Sequence, residues 1–390
     1  MAQPLERLEP TGPAVDHHRW ASGCPRSRER ARTAVHGWRP GTGFPYDEVL
    51  DHYRAVGRNQ ADVTICRSAE AGAAASGWPL AQWLPMTLDA GIGGYDSYLG
   101  SALFEDLPGV EPAGSERTCA VTDTLVVALL ADLCRTEIRH WETAGDSPAR
   151  GARVRAVVHA LQAAAGFAPA SRVLPEGISG SALPDLAATG RRAAAEVLVA
   201  CPSSVRFAVD LSLLPTTTVH DEIMFVRTIQ AFECVYRQVA GRLRAASGAA
   251  GRGEVGDAMA ALQDATARLD ATKALYRVVT TISKDAFAVI RGATDGRSAI
   301  QSRAYAEVEQ LAAGPAAPLR DHTNTGICSA AEDLGRAWVS MKRTHWGIAL
   351  KVIGRVRGTG GTEGADYLEQ KAVQPLFPQT GRTAGAGCPV

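Results

Sequence analysis

An imidazole in the middle of an apolar stripe is the strongest chemical signal in this 390-residue chain. Leu334, Trp338, Met341, His345, Ile348 and Val352 recur at spacings of four and three, which places them on one face of a helix. A buried imidazole needs a partner at each nitrogen. A core histidine finds them in backbone groups; a metal-ligating one gives one nitrogen to the metal and the other to an acceptor. Following the helix, 358–364 reads Gly-Thr-Gly-Gly-Thr-Glu-Gly, with Thr359 between Gly358, Gly360 and Gly361. Such glycines let backbone N–H groups approach a bound molecule closely, although a Gly-rich stretch after a helix is also an ordinary turn.

Three further groups of residues could serve the same chemistry. Tyr95, Tyr98 and Leu99 share a helical face. His220-Asp221-Glu222 opens a segment in which Phe225, Ile229, Phe232 and Tyr236 form an aromatic stripe, with Thr218 and Asp221 spaced for an N-cap. A third segment carries Gln301, Ser302, Arg303, Tyr305 and Glu309. The eight cysteines include no C-x-x-C pair, which argues against zinc fingers, disulfide frameworks and covalent haem; most read as small apolar fillers, with Cys388 exposed. His140 and His159 stand isolated among Arg, Glu and Ala and read as non-ligands.

The elements that must position these groups are helices. Alanine-rich periodic stretches at 121–143, 149–166 and 183–200 are separated by Ser147-Pro148 and by breaks at 175–181, and further helices are expected at 257–292 and 298–312. Strand patterns are scarce, so the class is all-α, a helical bundle. Residues 1–45 read as a partly disordered arm with a basic knot at Arg26, Arg28, Arg30 and Arg32, and 381–390 as a flexible tail. Between them lie a mixed segment (46–117), an alanine-rich block (118–210) and a core (211–380). Forty-one basic residues balance forty-one acidic ones, which argues against recruitment by nucleic acid or an anionic membrane. No apolar run nears the roughly 18–20 residues of a membrane span, and no secretory pattern is visible, so a soluble cytoplasmic protein is expected.

Taken in order, the Tyr-x-x-Tyr-Leu segment, the His-Asp-Glu helix with Phe225, the Gln-Ser helix, and His345 followed by Ile-Gly and Gly-Thr-Gly-Gly-x-x-Gly-x-x-Tyr-Leu resemble the tryptophan 2,3-dioxygenase superfamily. The resemblance spans 220–378 in blocks, plus 95–99. It implies an all-α helical-bundle haem fold with extra N-terminal helices, 46–117 as an N-terminal pocket-lining segment, 118–210 as an inserted helical block and 211–380 as the haem-binding core, and haem b held by His345 with Gly358, Gly360 and Gly361 beside it. It implies an aromatic amino-acid substrate lined by Tyr95, Tyr98, Leu99, Phe225 and Thr359. The tyrosine segment would come from a neighbouring subunit of a homo-oligomer, a dimer or tetramer.

Two positions depart from the family pattern. Ile229 stands where the family's distal His contacts the indole N–H, leaving Thr228 or Arg227 as partial substitutes. Ala306 stands where its carboxylate-binding Arg falls. Arg303, three residues earlier on nearly the same face, becomes the candidate for that contact. The resemblance therefore implies a haem-dependent oxygenase of specialised metabolism, with Phe225, Thr228 and Ile229 nearest the reaction. It would insert one or two oxygen atoms, from dioxygen or hydrogen peroxide, into the indole ring of tryptophan or a modified tryptophan. Alternatives are peroxide-dependent hydroxylation of a tyrosine-like phenol, a non-catalytic haem sensor or carrier, and a haem-free helical interaction protein.

Overall fold

The computed structural model describes residues 24–88, 94–105, 107–108, 116–167, 180–294, 301–352, 354 and 365–378. Among them every regular element is a helix. In chain order these are α1 (Cys24–Gly37), α2 (Tyr46–Val56), α3 (Thr64–Arg67), α4 (Glu70–Ser76), α5 (Leu80–Leu88), α6 (Tyr95–Leu99), α7 (Ser101–Glu105), α8 (Glu116–Ala144) and α9 (Pro148–Ala165). They continue as α10 (Leu183–Ala200), α11 (Ser203–Leu211), α12 (His220–Gly251), α13 (Val255–Val279), α14 (Lys284–Ala293), α15 (Arg303–Ala313), α16 (Thr325–Val352) and α17 (Ala365–Ala372). No helix among the described residues is long and apolar enough to cross a membrane.

The bundle is organised around α12, which packs along α13, α8 and α15, while α16 lies against α13. Helices α8, α9 and α10 pack on one another, and α9 also meets α13. One apolar core therefore runs through both the alanine-rich block and the helices after it. Small residues set the approach: a Cβ on Gly190 of α10 would lie 2.6 Å from a Val158 methyl of α9. Buried charges join α8 to α12 and α13. Arg227 of α12, 1 % exposed, binds Asp132 of α8 through Nη2 at 2.7 Å and Nε at 2.9 Å. Arg268 of α13 pairs with Asp123 of α8, which also accepts from Gln238 of α12. Such pairs hold register more than they add stability, because desolvation offsets much of their attraction.

The helix ends follow local chemistry. Ser147 caps α9, its side chain accepting from Arg150 N at 3.2 Å ahead of Pro148. The single helix expected over 257–292 is instead two. Its β-branched run Val278-Val279-Thr280-Thr281-Ile282 is a poor helix former, and Ser283 starts α14 afresh by capping Ala286 N. The helix expected from 298 is described from Arg303, because Ser302 caps it at Tyr305 N. The arm expected through residue 45 already contains α1, whose Ala31 and Val35 are buried against the core. Its basic knot is spent locally, with Arg28 and Arg32 on Asp62 and Arg30 on Asp51. Cys66, Cys134, Cys201 and Cys234 are buried free thiols; Cys388 lies outside the described residues.

Candidate functional site

Helix α16 carries His345 where its buried seam begins to open. Leu334, Trp338 and Met341 are buried, whereas His345, Ile348 and Val352 on the same face are half-buried. One aromatic ring stands directly against the imidazole, and it leads into a group of rings from α12 and α15 around Trp338. Tyr276 of α13 stacks near it, centroids 6.1 Å apart, and Phe232 of α12 packs on Tyr276 at 4.6 Å. Tyr236 of α12 and Tyr305 of α15 close the box around Trp338. Burial lowers the His345 pKa below its ordinary value, so the ring is neutral at neutral pH. Neither ring nitrogen has a hydrogen-bond partner among the described residues, and burial alone accounts for the shift.

Two indoles on this helix share that condition. Nε1 of Trp338 and Nε1 of Trp346 are buried N–H donors with no acceptor. Leaving such a donor unmatched costs about 1–3 kcal/mol, and the described residues provide no acceptor for either. A neutral, unpartnered imidazole, two spare N–H donors and apolar ring walls fit haem, a planar apolar group with an iron and two carboxylates. His345 would be the residue to hold it.

The α12 stripe connects this box to a second apolar cluster. Tyr95, Tyr98 and Leu99 of α6 are buried with Leu213 and Val226, and Phe225, Ile223 and Ile229 pack against them. Phe225 also meets Phe287 of α14 edge-on at 5.5 Å. Four of the expected substrate-lining residues, Tyr95, Tyr98, Leu99 and Phe225, are thus gathered with Ile229 in one place. Helix α6 seats on α12 of its own chain, where the resemblance would have a neighbour supply it. Its tyrosine hydroxyls are committed: Tyr95 donates to Glu233 at 2.9 Å and Tyr98 to Glu222 at 3.1 Å.

Thr228 and Arg227, the expected partial substitutes for a distal imidazole, both have hydrogen-bond partners of their own. Thr228 is fully buried and donates back to Met224 O at 2.8 Å. Arg227 is held by Asp132, Ser212 and Gln230. Position 229 therefore presents only the apolar side chain of Ile229.

The His-Asp-Glu opening of α12 is a fastening. His220 Nε2 lies 3.1 Å from Glu137 of α8, and its ring stacks on His140 at 3.6 Å. Asp221 accepts from Arg153 of α9 at 2.5 Å and from Ser283 N at 3.3 Å. Glu222 accepts from the backbone and hydroxyls of Thr216 and Thr217 at 2.5–2.7 Å. Thr218 does not cap the helix. Its N-cap is Val219, without a side-chain bond, because Glu222 already gathers the preceding turn.

Arg303 is at the rim, its side chain 79 % exposed and its Nε 2.9 Å from Asp96 of α6. Ala306 is half-buried beside it on α15. Glu233 is the residue that sequence reasoning passed over. It is 8 % exposed, bonded by Tyr95 and Ser302, and burial raises its pKa, opposed by those hydroxyls. A carboxylate four residues after Ile229, on an otherwise apolar stripe, was the available signal. Thr359, Gly358, Gly360 and Gly361 lie outside the described residues. No protein-family model matches this chain, and no curated protein matches it in sequence.

Proposed function

We propose that the protein is a haem-dependent oxygenase acting on an aromatic amino acid, tryptophan or a modified tryptophan, with His345 as the iron ligand. The observation that carries this reading is the neutral His345 ring, unpartnered among the described residues and stacked on Tyr276, on a helix that also carries two indole N–H donors without acceptors among the described residues. Bound haem would supply an iron able to activate dioxygen or peroxide for transfer to an aromatic ring. The chain's own part is to hold and orient. Phe225, Ile229 and Leu99 form an apolar wall that excludes water and packs a planar ring. With Ile229 in place of an imidazole, that wall offers no base to the ring N–H, which favours a specialised oxygenation over a housekeeping one.

The test begins with protein purified from haem-supplemented cells. A histidine-ligated Soret band is expected in the wild type and its loss in His345→Ala, with the helical circular dichroism retained. Incubation with labelled dioxygen or labelled peroxide and a panel of indole and phenol amino acids should then give a product heavier by one or two labelled oxygen atoms. A colourless wild-type preparation would refute the haem assignment. Haem without product under either oxidant would leave a carrier or sensor and refute the oxygenase.

A further inference from the structure

A buried carboxylate ordinarily has a cation against it, and Glu233 forms no direct ion pair among the described residues, the Arg237 guanidinium acting on it only from a distance. Its contacts are the neutral hydroxyls of Tyr95 and Ser302. The nearest guanidinium in sequence, Arg237 one turn on, is bound to Glu105 at 2.6 Å. Burying an ionised group without a counter-charge is costly, so such a group is stabilised by whatever cation can reach it. The two hydroxyls deepen the match. Each has spare acceptor capacity for a donor arriving at the carboxylate. An ammonium needs one carboxylate and a few oxygen acceptors, whereas a divalent metal needs more ligands than this corner holds.

The surroundings narrow the ammonium further. Tyr95 belongs to the apolar cluster that contains Phe225 and Ile229, so a cation at Glu233 lies beside the ring-packing wall. Ser302 precedes Arg303 directly, and Arg303 reaches to Asp96 one residue after Tyr95. The Glu233 carboxylate is thus held by Tyr95 and Ser302 and the Arg303 guanidinium by Asp96, on residues adjacent in sequence in α6 and at the start of α15, an opposite charge for each end of a zwitterion. Resting on the proposed aromatic amino-acid pocket, we infer that Glu233 receives the substrate's α-ammonium, making it the residue that selects free amino acids over aromatic acids lacking the amine.

The experiment compares equilibrium binding to the full-length, haem-supplemented protein and to Glu233→Gln. The ligands are L-tryptophan, L-tyrosine, tryptamine, and the des-amino analogues indole-3-propionate and 4-hydroxyphenylpropionate. Wild type is expected to bind the amine-bearing ligands at least about tenfold more tightly than the des-amino ones. Glu233→Gln should erase that preference while leaving des-amino binding within about twofold, and Glu233→Asp should restore part of it. Equal weakening of every ligand in Glu233→Gln would mark the residue as structural and overturn the inference. Wild type binding the des-amino analogues as tightly as the amino acids would overturn it too, with the aromatic pocket intact. Wild type binding none of the aromatic ligands would overturn the pocket reading and this inference together.

Discussion

Lys342 sits one turn before His345 and is buried, its Nζ donating to Gln374 O at 2.7 Å. Burial lowers its pKa from 10.5 to about 8, with Glu309 pulling up and Lys371 pulling down. Below about pH 8 the amine is charged in both folded and unfolded chains, and the burial penalty is fully present. As pH climbs from about 8 towards 10.5, the folded chain releases this proton before the unfolded one. The unfolded chain then binds more protons, and stability rises with pH. A displacement from 10.5 to about 8 corresponds at full extent to about 3 kcal/mol, of which about 2 kcal/mol develops between about pH 7.5 and about pH 9.5. Lys342→Met removes the titration while keeping the stem's packing. Urea unfolding of both proteins across that range should show the wild type gaining about 2 kcal/mol relative to the variant. Tyrosines whose pKa burial raises, such as Tyr276, cancel in the comparison. A wild-type-minus-variant difference that stays flat, or falls with pH, would refute the reasoning.

Arg227→Met should lower the unfolding free energy measured by urea titration by about 3–5 kcal/mol, because Asp132 is left buried without its Arg227 guanidinium; adding Asp132→Asn should recover part of that loss. Gly190→Ala should lower the melting temperature, a cost of about 1–3 kcal/mol, since the new methyl meets Val158. Arg303→Ala should change stability by less than about 1 kcal/mol, because its ion pair with Asp96 is solvent-screened. The same variant should weaken binding of carboxylate-bearing ligands and spare tryptamine in equilibrium titration.

Several parts of this arrangement were legible as spacing. The helices over 121–143, 149–166 and 183–200 lie within or nearly coincide with α8, α9 and α10, because alanine-rich periodic stretches separated by Ser147-Pro148 and by the Pro-, Gly- and Ser-containing run at 175–181 leave the backbone few alternatives. The common face of Tyr95, Tyr98 and Leu99 is the face buried on α12. Other features misled for definite reasons. Thr218 and Asp221 have capping spacing, but Glu222 outcompetes them for the turn at 216–217. Arg227 and Lys342 look like surface cations in a linear chain, and only the positions of Asp132 and the 374 carbonyl make them interior ones. Tyr276 lies in α13, where nothing local marks it as the ring that faces His345.

What the residues determined unaided was the helical class and the face on which each side chain lies, since both follow from a 3.6-residue period acting over a few turns. That period is enough to put His345 on an apolar seam. It cannot say which ring stands opposite, whether a nitrogen finds an acceptor, or whether a carboxylate meets a cation. Those are contacts between elements far apart in the chain, 138 residues for Tyr95 and Glu233. Only the packing of α6, α13, α15 and α16 around α12 decided them.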